Sequence, residues 1–131
     1  LCGERPNDQQ RRLYAAAYEQ IETNIAVLAP GLSFREVSQR CWKIPEAYLS
    51  QRYPSLMHGV GLADEYPSIK HWVDFEAKAY EGVLQPGMVL CVESFIGVEG
   101  GREGVKLEEQ VIITETGVER MSSYPFEVDW L

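Results

Sequence analysis

The sequence predicts an α+β fold, helices first and a mostly antiparallel sheet after them, on three observations. Apolar residues recur at three- and four-residue steps near the start, period-two alternation takes over beyond Pro86-Gly87, and Gly- or Pro-bearing turns separate the alternating runs. Pro6-Asn7-Asp8 supplies helix-start chemistry, and Tyr14, Ala17, Ile21, Ile25 and Leu28 follow at helical steps, so a long amphipathic helix is expected from Asp8 to Leu28. Ala29-Pro30-Gly31 stops it. Ser33, with Glu36 three residues later, has the capping-box pattern that starts a second helix through Phe34, Val37 and Cys41. Pro45 opens a short third helix over Ala47 to Leu49. Between Tyr53 and Pro67 the glycines and prolines exclude a long helix, leaving a short strand or turn within Leu56 to Leu62. Met88 to Ile96 then reads as a strand with Val89, Cys91, Glu93 and Phe95 on one face. A Gly-rich hairpin region spans Gly97 to Gly104, Val105 to Thr114 is the next strand, and the turn Glu115-Thr116-Gly117 leads to a short strand from Val118 to Met121.

At 131 residues the chain has the length of one domain, and 45% hydrophobic against 24% charged residues is an ordinary globular composition. The net charge is −8 and no Lys/Arg-rich run occurs, which argues against a surface that tracks nucleic-acid phosphates. The longest apolar run, Met88 to Val92, is far short of the ~20 residues of a membrane span. A soluble, cytoplasmic protein is expected. Cys2, Cys41 and Cys91 are too far apart in sequence for a C-x-x-C pair and read as reduced, buried structural thiols. The opening Leu1-Cys2-Gly3, without an initiator Met, suggests a cut within a longer protein.

Three residues stand out as candidates for chemistry. Glu93 interrupts a run otherwise made for a sheet interior, and a buried carboxylate must ligate a metal, pair with a cation or stay protonated. Taken alone, an ion-paired or edge-strand glutamate explains it. His58, in His58-Gly59-Val60-Gly61, sits where the backbone can approach another group closely, and a loop or core histidine is the simpler reading. His71 reads as surface or packing. On the last long strand Val105, Leu107, Glu109, Val111 and Ile113 share one face, and Lys106, Glu108, Gln110 and Ile112 share the other. Periodicity leaves open whether Glu108 faces solvent or a cleft. One histidine and two carboxylates would together suit a divalent transition metal.

As a group, His58-Gly-Val-Gly61, Pro86-Gly-Met-Val-Leu-Cys-Val-Glu93 and Val105-Lys-Leu-Glu108-Glu-Gln-Val-Ile-Ile-Thr-Glu-Thr-Gly117 resemble the carboxyl-terminal catalytic domain of the methionine aminopeptidase, prolidase and creatinase superfamily. The resemblance covers most of the chain. It implies the pita-bread fold, with helices packed on a curved, mostly antiparallel sheet, and it makes His58, Glu93 and Glu108 metal ligands, choosing Glu108 over Glu109. The expected cofactor is a divalent metal, iron first, with manganese, cobalt, zinc or nickel as alternatives. A homodimer is also implied.

Two departures refine this. Peptidases of the superfamily carry a second histidine a few residues after the first, where this chain has Asp64-Glu65-Tyr66-Pro67. The segment is more similar to the dimethylsulfoniopropionate lyases of the DddP type, and that resemblance makes Asp64 the catalytic base and Tyr53 part of the pocket for a sulfonium carboxylate. Tyr66 and Trp72 are further aromatic residues nearby, Trp72 being read as ordinary packing. The second departure is that residues 1 to 7 lack the aspartates that supply the superfamily's other ligands. The chain is therefore expected to be the carboxyl-terminal part of a longer catalytic domain, to bind metal poorly alone and to be inactive by itself. An Xaa-Pro metallopeptidase and a non-catalytic superfamily member are the rival readings.

Overall fold

The computed structural model describes residues 5–62 and 65–131. Helix α1 (Asp8–Ala26) begins where the Asn7 side chain accepts from the Gln10 N–H and the Gln10 side chain accepts from the Asn7 N–H, both at 2.9 Å. This reciprocal pair satisfies N–H groups that the first turn cannot bond internally. The helix ends short of the expected Leu28 because Pro30 has no N–H to continue the ladder, and Leu28 enters the core from a tight turn bonded to the Ile25 carbonyl at 3.1 Å. Gly31, at φ +87°, reverses the chain in a conformation that a Cβ would resist. Helix α2 (Phe34–Arg40) starts at the Ser33 and Glu36 capping box read from the sequence, and α3 (Glu46–Leu49) follows Pro45.

The strands are β1 (Met57–Gly59), β2 (Ser68–Ile69), β3 (Val89–Gly97), β4 (Gly104–Ile113) and β5 (Val118–Arg120), with one further turn of helix, α4 (Phe75–Lys78), between β2 and β3. They form one sheet in the order β2-β1-β3-β4-β5, with every neighbouring pair antiparallel. The α+β class is thus as expected. Strand β2, helix α4 and a closing 3-10 turn (Val128–Trp130) were not anticipated: each is too short to show a period, and β2 exists only through its pairing with β1.

Helix α1 lies across β3 and β4. Its Leu13, Ala17, Ile21 and Ile25 join Leu90, Val92, Ile96, Val111 and Ile113 in the core, each buried Leu or Ile contributing about 1.5–3 kcal/mol. Because side chains alternate along a strand, turning Leu90, Val92 and Ile96 toward α1 sends Cys91, Glu93 and Phe95 to the opposite face of the sheet. Cys41 is buried as expected, and burial pushes its thiol up to about 12. Cys2 lies outside the described residues. Among the described residues no helix is long and apolar enough to cross a membrane.

Candidate metal centre

Strand register assembles the site. In the β1/β3 ladder His58 pairs with Cys91, and in the β3/β4 ladder Cys91 pairs with Gln110, Glu93 with Glu108 and Phe95 with Lys106. Directly opposed residues share a face, so His58, Cys91, Glu93, Lys106, Glu108 and Gln110 all project from the side of the sheet away from α1. The sequence left the orientation of Glu108 open. Its pairing with Glu93 settles that orientation, whereas Glu109, although only 5% exposed, lies on the helix side with Arg120 at 3.7 Å. Burial alone points to Glu109, which faces away from His58 and Glu93.

Gly59 holds the His58 segment in place. A Cβ there would collide with the Tyr66 carbonyl, and the Gly59 N–H donates to the Pro67 carbonyl at 2.6 Å, so this strand and the following loop touch backbone to backbone. The His58 ring donates its Nδ1–H to the Gly59 carbonyl at 3.0 Å, since a carbonyl can only accept. That leaves Nε2 facing the Glu93 Oε1 at 3.1 Å. A neutral imidazole in this tautomer and a carboxylate are both acceptors, and two acceptors at this distance need a proton or a metal ion between them. Burial pulls His58 down, but the bonds to Gly59 and Glu93 outweigh it and leave the ring above its ordinary value.

Glu93 is only 2% exposed and both its oxygens have partners: His58 on one side, the Lys106 ammonium on the other. Lys106 also donates to Glu108 Oε2 at 3.2 Å and sits 4.6 Å from the centre of the Tyr53 ring. Tyr53 is therefore at the site, its phenol raised by burial and then by the negative charge of Glu93. The Cys91 thiol is pushed up to about 12, first by burial and then by its bond to Glu108. The same bond is the largest of the effects that hold Glu108 below the usual carboxylate range. His58, Cys91 and Glu108 each offer a ligand atom, all within 4.8 Å of one another.

The donor set fits a borderline divalent ion: an imidazole nitrogen whose other ring N–H is already held by a carbonyl, two carboxylates and a thiol within reach. Cys91, read from the sequence as a buried thiol, is buried, and its Sγ also lies beside the ligand atoms of His58 and Glu108; the sequence reading did not weigh Lys106. Period-two alternation was the available signal for both, since each lies two residues before a glutamate of the site. Trp72, expected to pack inside, is instead 52% exposed, with the Lys43 ammonium 5.6 Å from its ring. Tyr66 is exposed and stacks on Tyr80. Asp64 lies outside the described residues. His71, read as surface or packing, is buried, with its Nε2–H donating to the Tyr53 carbonyl at 3.0 Å.

Comparisons with known proteins bear on the family and the fold. The model of metallopeptidase family M24 matches residues 1–115. Over 111 residues the chain is 47% identical to the dimethylsulfoniopropionate lyase DddP of Roseovarius nubinhibens, covering 85% of this chain and 25% of that protein. It is 43% identical to the DddP of Roseobacter denitrificans, over 92% of this chain and 28% of the relative. The Xaa-Pro dipeptidase of Pyrococcus furiosus is 32% identical over 89% of this chain and 32% of its own length. The solved prolidase from that organism superposes with a TM-score of 0.78 at 29% identity, covering 96% of this chain and 36% of the prolidase. The Xaa-Pro dipeptidase from Bacillus anthracis gives 0.74 at 26% identity, covering 94% of this chain and 33% of that one. The chain thus spans between about a quarter and a third of the length of the relatives it matches. With the family model over most of the chain and this sheet superposing on solved prolidases, the chain belongs to metallopeptidase family M24 and has its pita-bread fold.

Proposed function

We propose that this chain is the part of a dimethylsulfoniopropionate lyase that supplies His58, Glu93 and Glu108 to a divalent metal centre. The single observation that carries the reading is the sheet face shared by those three residues, with the Tyr53 ring against Lys106 of the same face, in a chain 43 to 47% identical to two DddP lyases. A metal ion held there, iron being the first choice, would act as a Lewis acid toward the substrate's carboxylate. The chain's own residues do the rest. Asp64, whose role rests on the lyase resemblance and its place in Asp64-Glu65-Tyr66-Pro67, removes the proton alpha to that carboxylate. The electron pair of the broken C–H bond becomes the new double bond, and dimethyl sulfide departs from the beta carbon with the C–S pair. Acrylate forms, and the proton stays on Asp64. The Tyr53 ring offers a face to the sulfonium cation. A homodimer in the cytoplasm accompanies this reading, following the family resemblance.

The test is to supply the full-length protein that contains this chain with dimethylsulfoniopropionate and, separately, with an Xaa-Pro dipeptide, measuring dimethyl sulfide by gas chromatography and free proline. Release of dimethyl sulfide, abolished by Asp64→Asn, is the expected result. Dipeptide hydrolysis without sulfide release would establish the peptidase instead, and undiminished lyase activity in Asp64→Asn would remove that residue as the base. Elemental analysis of His58→Ala should show lost metal. Retained stoichiometric metal would refute the ligand assignment.

A further inference from the structure

We propose that Lys106 is a built-in counter-cation: its ammonium holds the Glu93 and Glu108 carboxylates in the place of a divalent ion, and it must leave them when an ion binds. The inference rests on the reading of those glutamates as ligands and adds a residue that governs how tightly they bind. Glu93 and Glu108 are directly opposed across the β3/β4 ladder, an arrangement that is destabilising for like charges without a cation between them. Glu93 is also buried, so water cannot supply that compensation. Among the described residues, Lys106 is the one cation that touches both carboxylates. It reaches them because it lies on β4 two residues before Glu108 and opposite Phe95, on the same face.

An ammonium bonded to both ligands and a divalent ion bonded to the same groups repel each other, most strongly beside the buried Glu93. The lysine is suited to yielding. Its side chain is 37% exposed, so a path to solvent is open, and its flexible stem carries a point charge that can move without dismantling the sheet. In the absence of metal the same contacts keep the carboxylates positioned on their strands. Lys106 thus lowers metal affinity while stabilising the metal-free fold, and the two effects are linked because each metal-binding event must break the same ion pairs.

The experiment titrates the metal-free full-length protein that contains this chain with Mn2+ by calorimetry and records thermal unfolding with and without the ion. Lys106→Met should bind Mn2+ about tenfold more tightly than wild type. Its metal-free form should melt lower, so that the ion raises its melting temperature by more than it raises the wild type's. Lys106→Gln, which removes the charge but keeps a donor, should move affinity in the same direction and serves if the methionine variant fails to fold. Lys106→Arg, which keeps a cation there, should not gain affinity. Equal or weaker Mn2+ binding by the methionine and glutamine variants would overturn the proposal. Glu108→Gln separates the two layers: if it loses Mn2+ while the lysine variants bind as wild type does, the ligand reading stands and the counter-cation fails. If it binds Mn2+ unchanged, both fail.

Discussion

Acidification from pH 7 to 4.5 should remove most of about 3 kcal/mol of stability through one side chain, His71. The ring is 3% exposed, and its value is depressed from 6.5 to about 4, first by burial and then by the Arg52 cation, which the bond to the Tyr53 carbonyl only partly offsets. Each pH unit between the folded and unfolded values corresponds to about 1.4 kcal/mol, so the interval from 6.5 down to about 4 corresponds to about 3 kcal/mol. The sign follows from proton uptake. Between those values the unfolded chain binds a proton that the folded chain excludes, so stability falls as pH drops through the window and levels off below about 4. His58 has the opposite sign, because its folded value is raised: its contribution is full at low pH and is lost as pH rises through that value. Urea unfolding of wild type and of His71→Gln at closely spaced pH values separates the two. Glutamine can still donate to the Tyr53 carbonyl but does not titrate here, so the variant should lose the acid-side slope while keeping the His58 contribution. Identical pH profiles for the two proteins, or an NMR titration of His71 near 6.5, would refute the reasoning.

Other outcomes follow from single contacts. Arg52 clamps Asp74 with two bonds of 2.8 Å where the aspartate side chain is 10% exposed, so Arg52→Met should cost about 3–5 kcal/mol in equilibrium unfolding by leaving a largely buried charge with Lys78 alone. Gly59→Ala forces a methyl into the Tyr66 carbonyl. It should lower the melting temperature and weaken metal binding together, whereas Gly61→Ala, whose methyl meets nothing within 4 Å among the described residues, should change neither. Leu90→Ala empties a fully buried position beneath α1 and should destabilise by about 2–5 kcal/mol with the spectroscopic signature of the fold retained.

Local chemistry was enough to read α1, α2 and the long strands. Their caps, breakers and periods all act within a few residues, and the capping box at Ser33 and Glu36 is present as the sequence suggests. The three motifs around His58, Glu93 and Glu108 also sufficed to reach the family. The short elements were not legible, since β2 has two residues and is defined by its partner rather than by its own pattern. The choice between Glu108 and Glu109 also exceeded the sequence read residue by residue. Alternation says only that the two face opposite ways, and which way is inward depends on the register of β4 against β3 and on the side that α1 covers. For the same reason Cys91 and Lys106 entered the site only in three dimensions. Apart from Glu108 beside Lys106 on the same strand, their neighbours there are residues 13 to 53 positions away along the chain, brought together by the β1/β3/β4 ladders and the loop that leads into β1. Composition and spacing determined which chemistry the chain could hold; strand pairing decided which side chains meet to hold it.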